Sequence, residues 1–181
     1  MRVLGIDPGS AATGFGLIEC QRRAIRHLRH GVLRPPRGAD LAVRLNFLHR
    51  EIKALIELEA PEIAIVERVF LARNPHSALV LGQARGAILA SLGSCGIRVA
   101  EFAARQVKQA VTGSGAADKA QVQKMVIRLL SLDTVPPTDA ADALALAITY
   151  SAAGPLTDLP IRSRRRNTRR AITRLVLGRT Q

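Results

Sequence analysis

Asp139 and Asp142 stand three residues apart in the segment DAADALALAI. Positions i and i+3 share one face of a helix, so this spacing brings two carboxylates together among alanines and leucines. Asp139 also suits a helix start, where Thr138 can cap and an acid meets the positive end of the dipole. That account explains Asp142, one turn further in, less well. Two more acids end apolar runs: Asp7 follows RVLGI, and Glu67 follows IAIV. Asp-Pro-Gly is also a turn former, and an acid closing an apolar strand need only face water. Four acids converging without a counterion repel one another and raise their own pKa values. A hard divalent cation removes that penalty, and carboxylate oxygens suit Mg²⁺ or Mn²⁺. Two such ions about 3.5–4 Å apart activate a water and stabilise the leaving oxygen in phosphodiester displacement.

The charge balance points to the polymer that such a site would cut. The chain has 181 residues, with 27 Lys+Arg against 14 Asp+Glu, a net charge of +13 and a pI near 11.5. So basic a surface attracts polyanions, nucleic acid foremost. Arginines outnumber lysines 23 to 4, which makes bidentate phosphate contacts available. The charge is uneven: residues 161–181 carry eight arginines and no acid, whereas all 14 acids lie before residue 161.

Other classes are excluded by the same reading. The longest uncharged apolar run, Gly86 to Ile97, has twelve residues, short of the roughly 18 of a membrane span. The N-terminal apolar stretch is interrupted by Asp7 and does not resemble a signal peptide. Cys20 and Cys95, the only cysteines, lie in no CxxC motif, so neither a disulfide framework nor a zinc site is expected, and a reducing cytoplasm is the expected location. His27 and His30, a His-x-x-His among arginines, read as surface residues before they read as metal ligands. Aromatics are 3% and Trp is absent, which weakens any reading built on rows of stacking rings.

The elements that must position the four acids follow from periodicity. RVLGI and TGFGLIEC predict two strands, and the link Pro8-Gly9-Ser10 suits a hairpin between them. Residues 25–33 predict a third strand, ended by Pro35-Pro36. Leu41, Leu45, Leu48, Ile52, Leu55 and Ile56 follow helical spacing through 40–59. Ile63 to Val66 is a buried strand. Asn74-Pro75 starts a helix running to about Leu92. Ile97 to Phe102 is a fifth strand that also ends near a carboxylate, Glu101. A short helix over 104–111, a flexible loop TGSGAADK and a helix over 119–130 follow. Pro136-Pro137-Thr138 then leads into the last helix. This order predicts a single α/β domain over 1–154, a five-stranded mixed sheet with an antiparallel hairpin on one side and helices flanking it. Ligands in such sheets sit beyond the carboxyl ends of strands, where Asp7 and Glu67 lie. Residues 155–181 form a basic tail, either solvated or ordered as a short helix on the body of the protein or on DNA.

The segments GIDPGSAATGFG, IVERVFLARNPHSALVLGQARG, FAARQVKQAVTGSGAADKAQVQ and DAADALALAI resemble the RuvC family of Holliday-junction resolvases, which have the ribonuclease H-like fold. The resemblance covers about residues 1–151. It implies that Asp7, Glu67, Asp139 and Asp142 are catalytic acids and ligands of Mg²⁺, two ions per site, with Mn²⁺ a possible substitute. It implies that Lys108 and Lys119 handle DNA and that Phe70 lies near the junction centre; Arg73, in the same segment leaving the sheet, is assigned to the DNA surface with them. From the residues alone, Lys108 reads first as a solvated charge and Phe70 first as a core ring, while Lys119 is equally a helix-start surface lysine. The resemblance further implies four-way junction DNA as substrate, a homodimer and work beside the RuvA–RuvB branch-migration complex. Gly82, Gly86 and Ala90 recur every four residues, a stripe suited either to packing on its own sheet or to an intersubunit contact. Competing readings are another ribonuclease H-like nuclease, an ATP-binding protein of the actin–hexokinase type and an architectural DNA binder. The ATP-binding class requires a second phosphate loop that is absent, and the DNA binder leaves Asp139 and Asp142 without a role.

Overall fold

Strands β1 (Arg2–Asp7), β2 (Thr13–Gln21), β3 (Ala24–Leu33), β4 (Ile63–Arg68) and β5 (Arg98–Ala103) form one sheet in the order β3-β2-β1-β4-β5. The structure is a computed structural model that describes residues 1–9, 11–21, 24–68 and 74–153. β1 pairs antiparallel with β2 and parallel with β4, β4 pairs parallel with β5, and β3 forms an edge beside β2. The mixed sheet and its hairpin are those expected from the sequence. The tail, and with it the boundary at 154, lies outside the described residues.

Side-chain alternation along the strands divides the core in two. Val3, Ile63, Ile65 and Phe102 pack with α3 (Ala104–Thr112), α4 (Lys119–Leu130) and α5 (Thr138–Ala152). Leu4, Ile6, Ala64 and Val66 pack with α1 (Leu41–Glu59) and α2 (Pro75–Ser94). Each of the latter helices buries one stripe: Leu48, Ile52, Leu55 and Ile56 on α1, and Ala84, Ile88 and Leu92 on α2. Asn74 caps α2 as expected, its side-chain oxygen accepting from the His76 and Ser77 N–H groups at 2.9 and 3.4 Å. In α5, every residue from Ala140 to Tyr150 is buried except Asp142. A helix apolar all round belongs in a core, and α5 lies against β1 and β2.

One expectation needs correcting and one open alternative is narrowed. The segment TGSGAADK is tied down rather than flexible. The Gln109 side chain donates to the Gly113 carbonyl at 2.7 Å and accepts from the Gly115 N–H at 3.0 Å, and the Thr112 hydroxyl accepts from the Ser114 N–H at 3.2 Å. The stripe Gly82, Gly86, Ala90 does not pack on its own sheet: all three are exposed, and a Cβ added at either glycine would meet nothing within 4 Å. On the β2–β3 side of the sheet, a bulge between Leu17 and Ile18 shifts the register, and the half-buried His27 and His30 meet ring to ring, Nε2 to Nδ1 at 2.8 Å. They satisfy one another, and among the described residues no group of three His, Cys, Asp or Glu gathers around an ion. Nor is any helix among the described residues long and apolar enough to cross a membrane.

Candidate active site

Asp7 is the last residue of β1 and lies opposite Gly14 in the ladder. Val3 and Asp7 share strand parity, so Asp7 faces the side of the sheet covered by α3, α4 and α5. The turn beyond it is clamped by buried Thr13, whose hydroxyl donates to the Gly9 carbonyl at 3.2 Å and accepts the Gly9 N–H at 3.4 Å. Glu67 follows Ile63 and Ile65 at the same parity on the neighbouring strand. The pairing of Ile6 with Val66 sets Asp7 and Glu67 side by side. Both strands therefore end by turning an acid toward the same helices.

The third acid comes from α5, and glycine decides how near it can come. A Cβ on Gly5 would collide with the Ala143 carbonyl oxygen, and one on Gly14 with that of Asp139. These two bare positions let the α5 backbone rest on β1 and β2, which brings Asp142 over the strand ends. Glycine in a strand often marks such a close backbone approach. Neither glycine stood out in the sequence as part of the site.

Asp7, Glu67 and Asp142 line one cleft of about 310 Å³ together with Lys108, Lys119, Ala104, Val107, Val122 and Leu146. Lys119 is the first residue of α4. Asp118 caps that helix, accepting the Gln121 N–H at 2.8 Å while the Gln121 side chain accepts the Asp118 N–H at 2.9 Å. The Lys119 ammonium donates to Asp142 at 3.0 Å. That hydrogen bond, above all, raises the Lys119 pKa. Lys108 enters from α3. Asp139, half-buried, lies one turn before Asp142 and is not part of the cleft lining. Its charge is the weakest of the acid influences on Asp7. Phe70 and Arg73 lie outside the described residues.

Burial, then the negative charges of Glu67 and Asp142, push the Asp7 carboxyl up to about 8 from an ordinary 3.8. Burial first and Asp142 second also raise Glu67, while a hydrogen bond from Asp7 and the Lys119 charge oppose the rise. The cleft thus holds more negative charge than its one ion-paired lysine offsets. Its donors are hard carboxylate oxygens, the ligand chemistry of Mg²⁺ and Mn²⁺. Among the described residues the acids do not close into a three-ligand shell, and Asp142 is drawn to Lys119 instead.

Arg85, which the sequence did not single out, supports this arrangement from behind together with Glu101, the acid near the end of the fifth strand. Arg85 of α2 reaches the Glu67 carbonyl oxygen with Nε at 3.3 Å and hydrogen-bonds Glu101 of β5 through its terminal nitrogen. Glu101 also faces Arg68, whose Nε lies 3.7 Å away.

A family model described as crossover junction endodeoxyribonuclease RuvC matches residues 3–150. The crossover junction endodeoxyribonuclease RuvC of Burkholderia multivorans is 49% identical over 154 residues, 85% of either chain. Among solved structures, Thermus thermophilus RuvC in complex with Holliday junction substrate superposes with a TM-score of 0.79 at 33% identity, covering 84% of this chain and 94% of that one. The yeast mitochondrial Holliday junction resolvase shares the fold, with a TM-score of 0.64 at 14% identity over 83% of this chain and 77% of its own.

Proposed function

Because the chain belongs to the RuvC family of crossover junction endodeoxyribonucleases, its activity is endonucleolytic resolution of four-way DNA junctions; we propose that Asp7, Glu67, Asp139 and Asp142 are the acids that perform it, holding two Mg²⁺ ions at the cleft, with Mn²⁺ a substitute. The observation that carries this reading is the meeting of three acids from β1, β4 and α5 in one cleft with Lys108 and Lys119. Bound there, the ions supply Lewis-acid activation of the attacking water and offset charge on the leaving oxygen. Asp7 and Glu67, fixed on adjacent strands, set the position of that charge. Lys119, largely exposed yet tied to Asp142, is placed to pass from the carboxylate to an incoming phosphate. Lys108 offers a second phosphate contact, and Phe70 and Arg73 belong to the same DNA surface.

The protein acts as a homodimer in this reading. Leu79, at 62% exposure, continues the bare stripe of Gly82, Gly86 and Ala90 on the outer face of α2. A two-fold pair of clefts matches paired nicks in a two-fold junction. Residues 1–154 form the nuclease unit, and the tail over 155–181 adds sequence-blind phosphate affinity. RuvA–RuvB is carried over as a partner, and the cytoplasm as the location, from the family.

The deciding experiment offers full-length protein a synthetic four-way junction and a linear duplex of the same sequence, with Mg²⁺, with Mn²⁺ and with chelator. Symmetric nicks in the junction alone, absent in chelator, are expected. Cleavage that persists in chelator, or equal cutting of the duplex, overturns the reading.

A further inference from the structure

We propose that Arg85 is a positioning residue for cleavage: from the side of the sheet opposite the cleft, it holds the main chain of Glu67 in place. The inference rests on Glu67 being one of the metal-binding acids. β4 ends at Arg68, one residue after Glu67. The main chain of the acid therefore sits at the last rungs of its ladder, where strands fray. On the cleft side its carboxylate shares the lining with Asp7, Asp142 and the two lysines, and burial and Asp142 work against its charge. On the far side, α2 brings Arg85 within reach of the Glu67 carbonyl, to which Nε donates at 3.3 Å.

That reach is itself fixed. The guanidinium also bonds the carboxylate of Glu101, on β5 beside the Glu67 strand, so one planar group spans two strands and a helix. The Arg85 side chain is 21% exposed and that of Glu101 33%. The fork geometry matters: a lysine can meet one partner as a point charge but cannot present two fixed N–H directions to both. Removal of Arg85 leaves Glu101 with Arg68, at 3.7 Å, so no unpaired charge is stranded and the fold should survive.

Loss of an outer contact that orients a metal ligand typically costs about 10–100-fold in activity or metal affinity. The test compares full-length wild type with Arg85→Gln, Arg85→Lys and Glu67→Gln. It measures junction affinity in Ca²⁺, single-turnover cleavage across a Mg²⁺ titration, and the melting temperature. Arg85→Gln and Arg85→Lys should both bind the junction as wild type does, cut at least tenfold more slowly at low Mg²⁺, and recover much of the loss at high Mg²⁺. A rate loss independent of Mg²⁺ overturns the proposal in favour of a plain structural role. Weakened junction binding with an unchanged Mg²⁺ midpoint overturns it in favour of a DNA contact. Full rescue by lysine overturns the bridging argument, since charge alone would then suffice. If Glu67→Gln cuts normally, the assignment of Glu67 itself has failed, and the proposal falls with it, whatever the Arg85 variants do.

Discussion

Glu67 and Glu101 are the same residue type near the ends of adjacent parallel strands, yet they live opposite lives. Glu67 pairs across the ladder with Phe102, one residue beyond Glu101. That offset of one reverses the face. Glu101 turns toward α2 and is held by Arg85 and Arg68. Glu67 turns toward α3–α5, where burial and Asp142 raise its pKa and Lys119 only partly compensates. One acid is neutralised by permanent partners and braces the sheet. The other is placed among acids, at a cost to the folded state, and so is suited to hold a cation that comes and goes. Pairing with fixed arginines marks the structural carboxylate, and crowding with its own kind marks the chemical one.

The largest effect that can break this contrast lies in the acids themselves. Asp7→Asn, Glu67→Gln and Asp142→Asn each keep the shape but remove a ligand charge. Cleavage of a four-way junction should fall well beyond the roughly 100-fold typical of an outer contact, while junction binding, carried by basic groups, stays near wild type. Asp139→Asn should fall less, because its side chain is outside the cleft lining. Near-normal turnover by any of the first three would remove that residue from the chemistry.

The second effect is on stability and has a definite sign. Asp7 titrates at 3.8 in an ordinary chain and at about 8 in the folded cleft. The folded state therefore binds the proton more tightly, and the associated stability is complete below about pH 4 and lost as pH rises through about 8. In chelator the wild-type melting temperature should fall between pH 5 and pH 8 by roughly 5–10 °C, taking a few kcal/mol at about 2–4 °C each. Asp7→Asn should remove most of that slope and melt above wild type at pH 8, and Mg²⁺ should recover part of the wild-type loss. Melting curves at three pH values decide it; parallel curves for wild type and variant would mean that Asp7 is not held against its own charge.

How much of this was legible beforehand follows from the same contrast. Strand ends and helix spacing are local patterns, so the order of elements, Asp7 and Glu67 at strand ends, and the shared face of Asp139 and Asp142 could all be read from residues. Face parity between neighbouring strands depends on register, which is set only when the sheet assembles. Glu101 therefore looked like a sibling of Glu67. The seat of α5 was hidden for another reason: Gly5 and Gly14 matter through atoms they lack, and the carbonyls they admit lie some 130 residues away in the chain. The loop before α4 looked flexible because its order comes from the Gln109 and Thr112 side chains, which leave no periodic trace.

That seat supplies the third effect. Gly5→Ala places a methyl against the Ala143 carbonyl, where backbone rather than a flexible side chain must give. Overpacking of this kind costs about 1–3 kcal/mol, and the displacement moves Asp142, so cleavage should fall more than stability does. Gly86→Ala, on the exposed face of α2, meets nothing and gains helix propensity of up to about 1 kcal/mol. Calorimetry beside sedimentation separates them: the first should melt lower with its sedimentation unchanged, and the second should melt no lower, with any loss confined to the self-association proposed for that face. Equal destabilisation by both would mean that close approach is not what Gly5 provides.

The smallest effect, and the sharpest test of the contrast, is Glu101→Gln. The amide keeps an oxygen that Arg85 can bond, so the guanidinium stays in reach of the Glu67 carbonyl. What is lost is charge in a pair whose members are 21% and 33% exposed, and in a longer contact to Arg68. Ion pairs so near the surface contribute about 0–1 kcal/mol, and the melting temperature should drop by no more than roughly 4 °C. Cleavage should stay within a few-fold of wild type at saturating Mg²⁺. Identical chemistry, one carboxylate turned to amide, is then performed on two neighbouring strands with outcomes that differ by orders of magnitude. If Glu101→Gln silenced cleavage as completely as Glu67→Gln, the face a strand turns toward the helices would not separate structural from chemical acids in this protein, and Glu101 would have to be counted among the groups that reach the metal or the DNA.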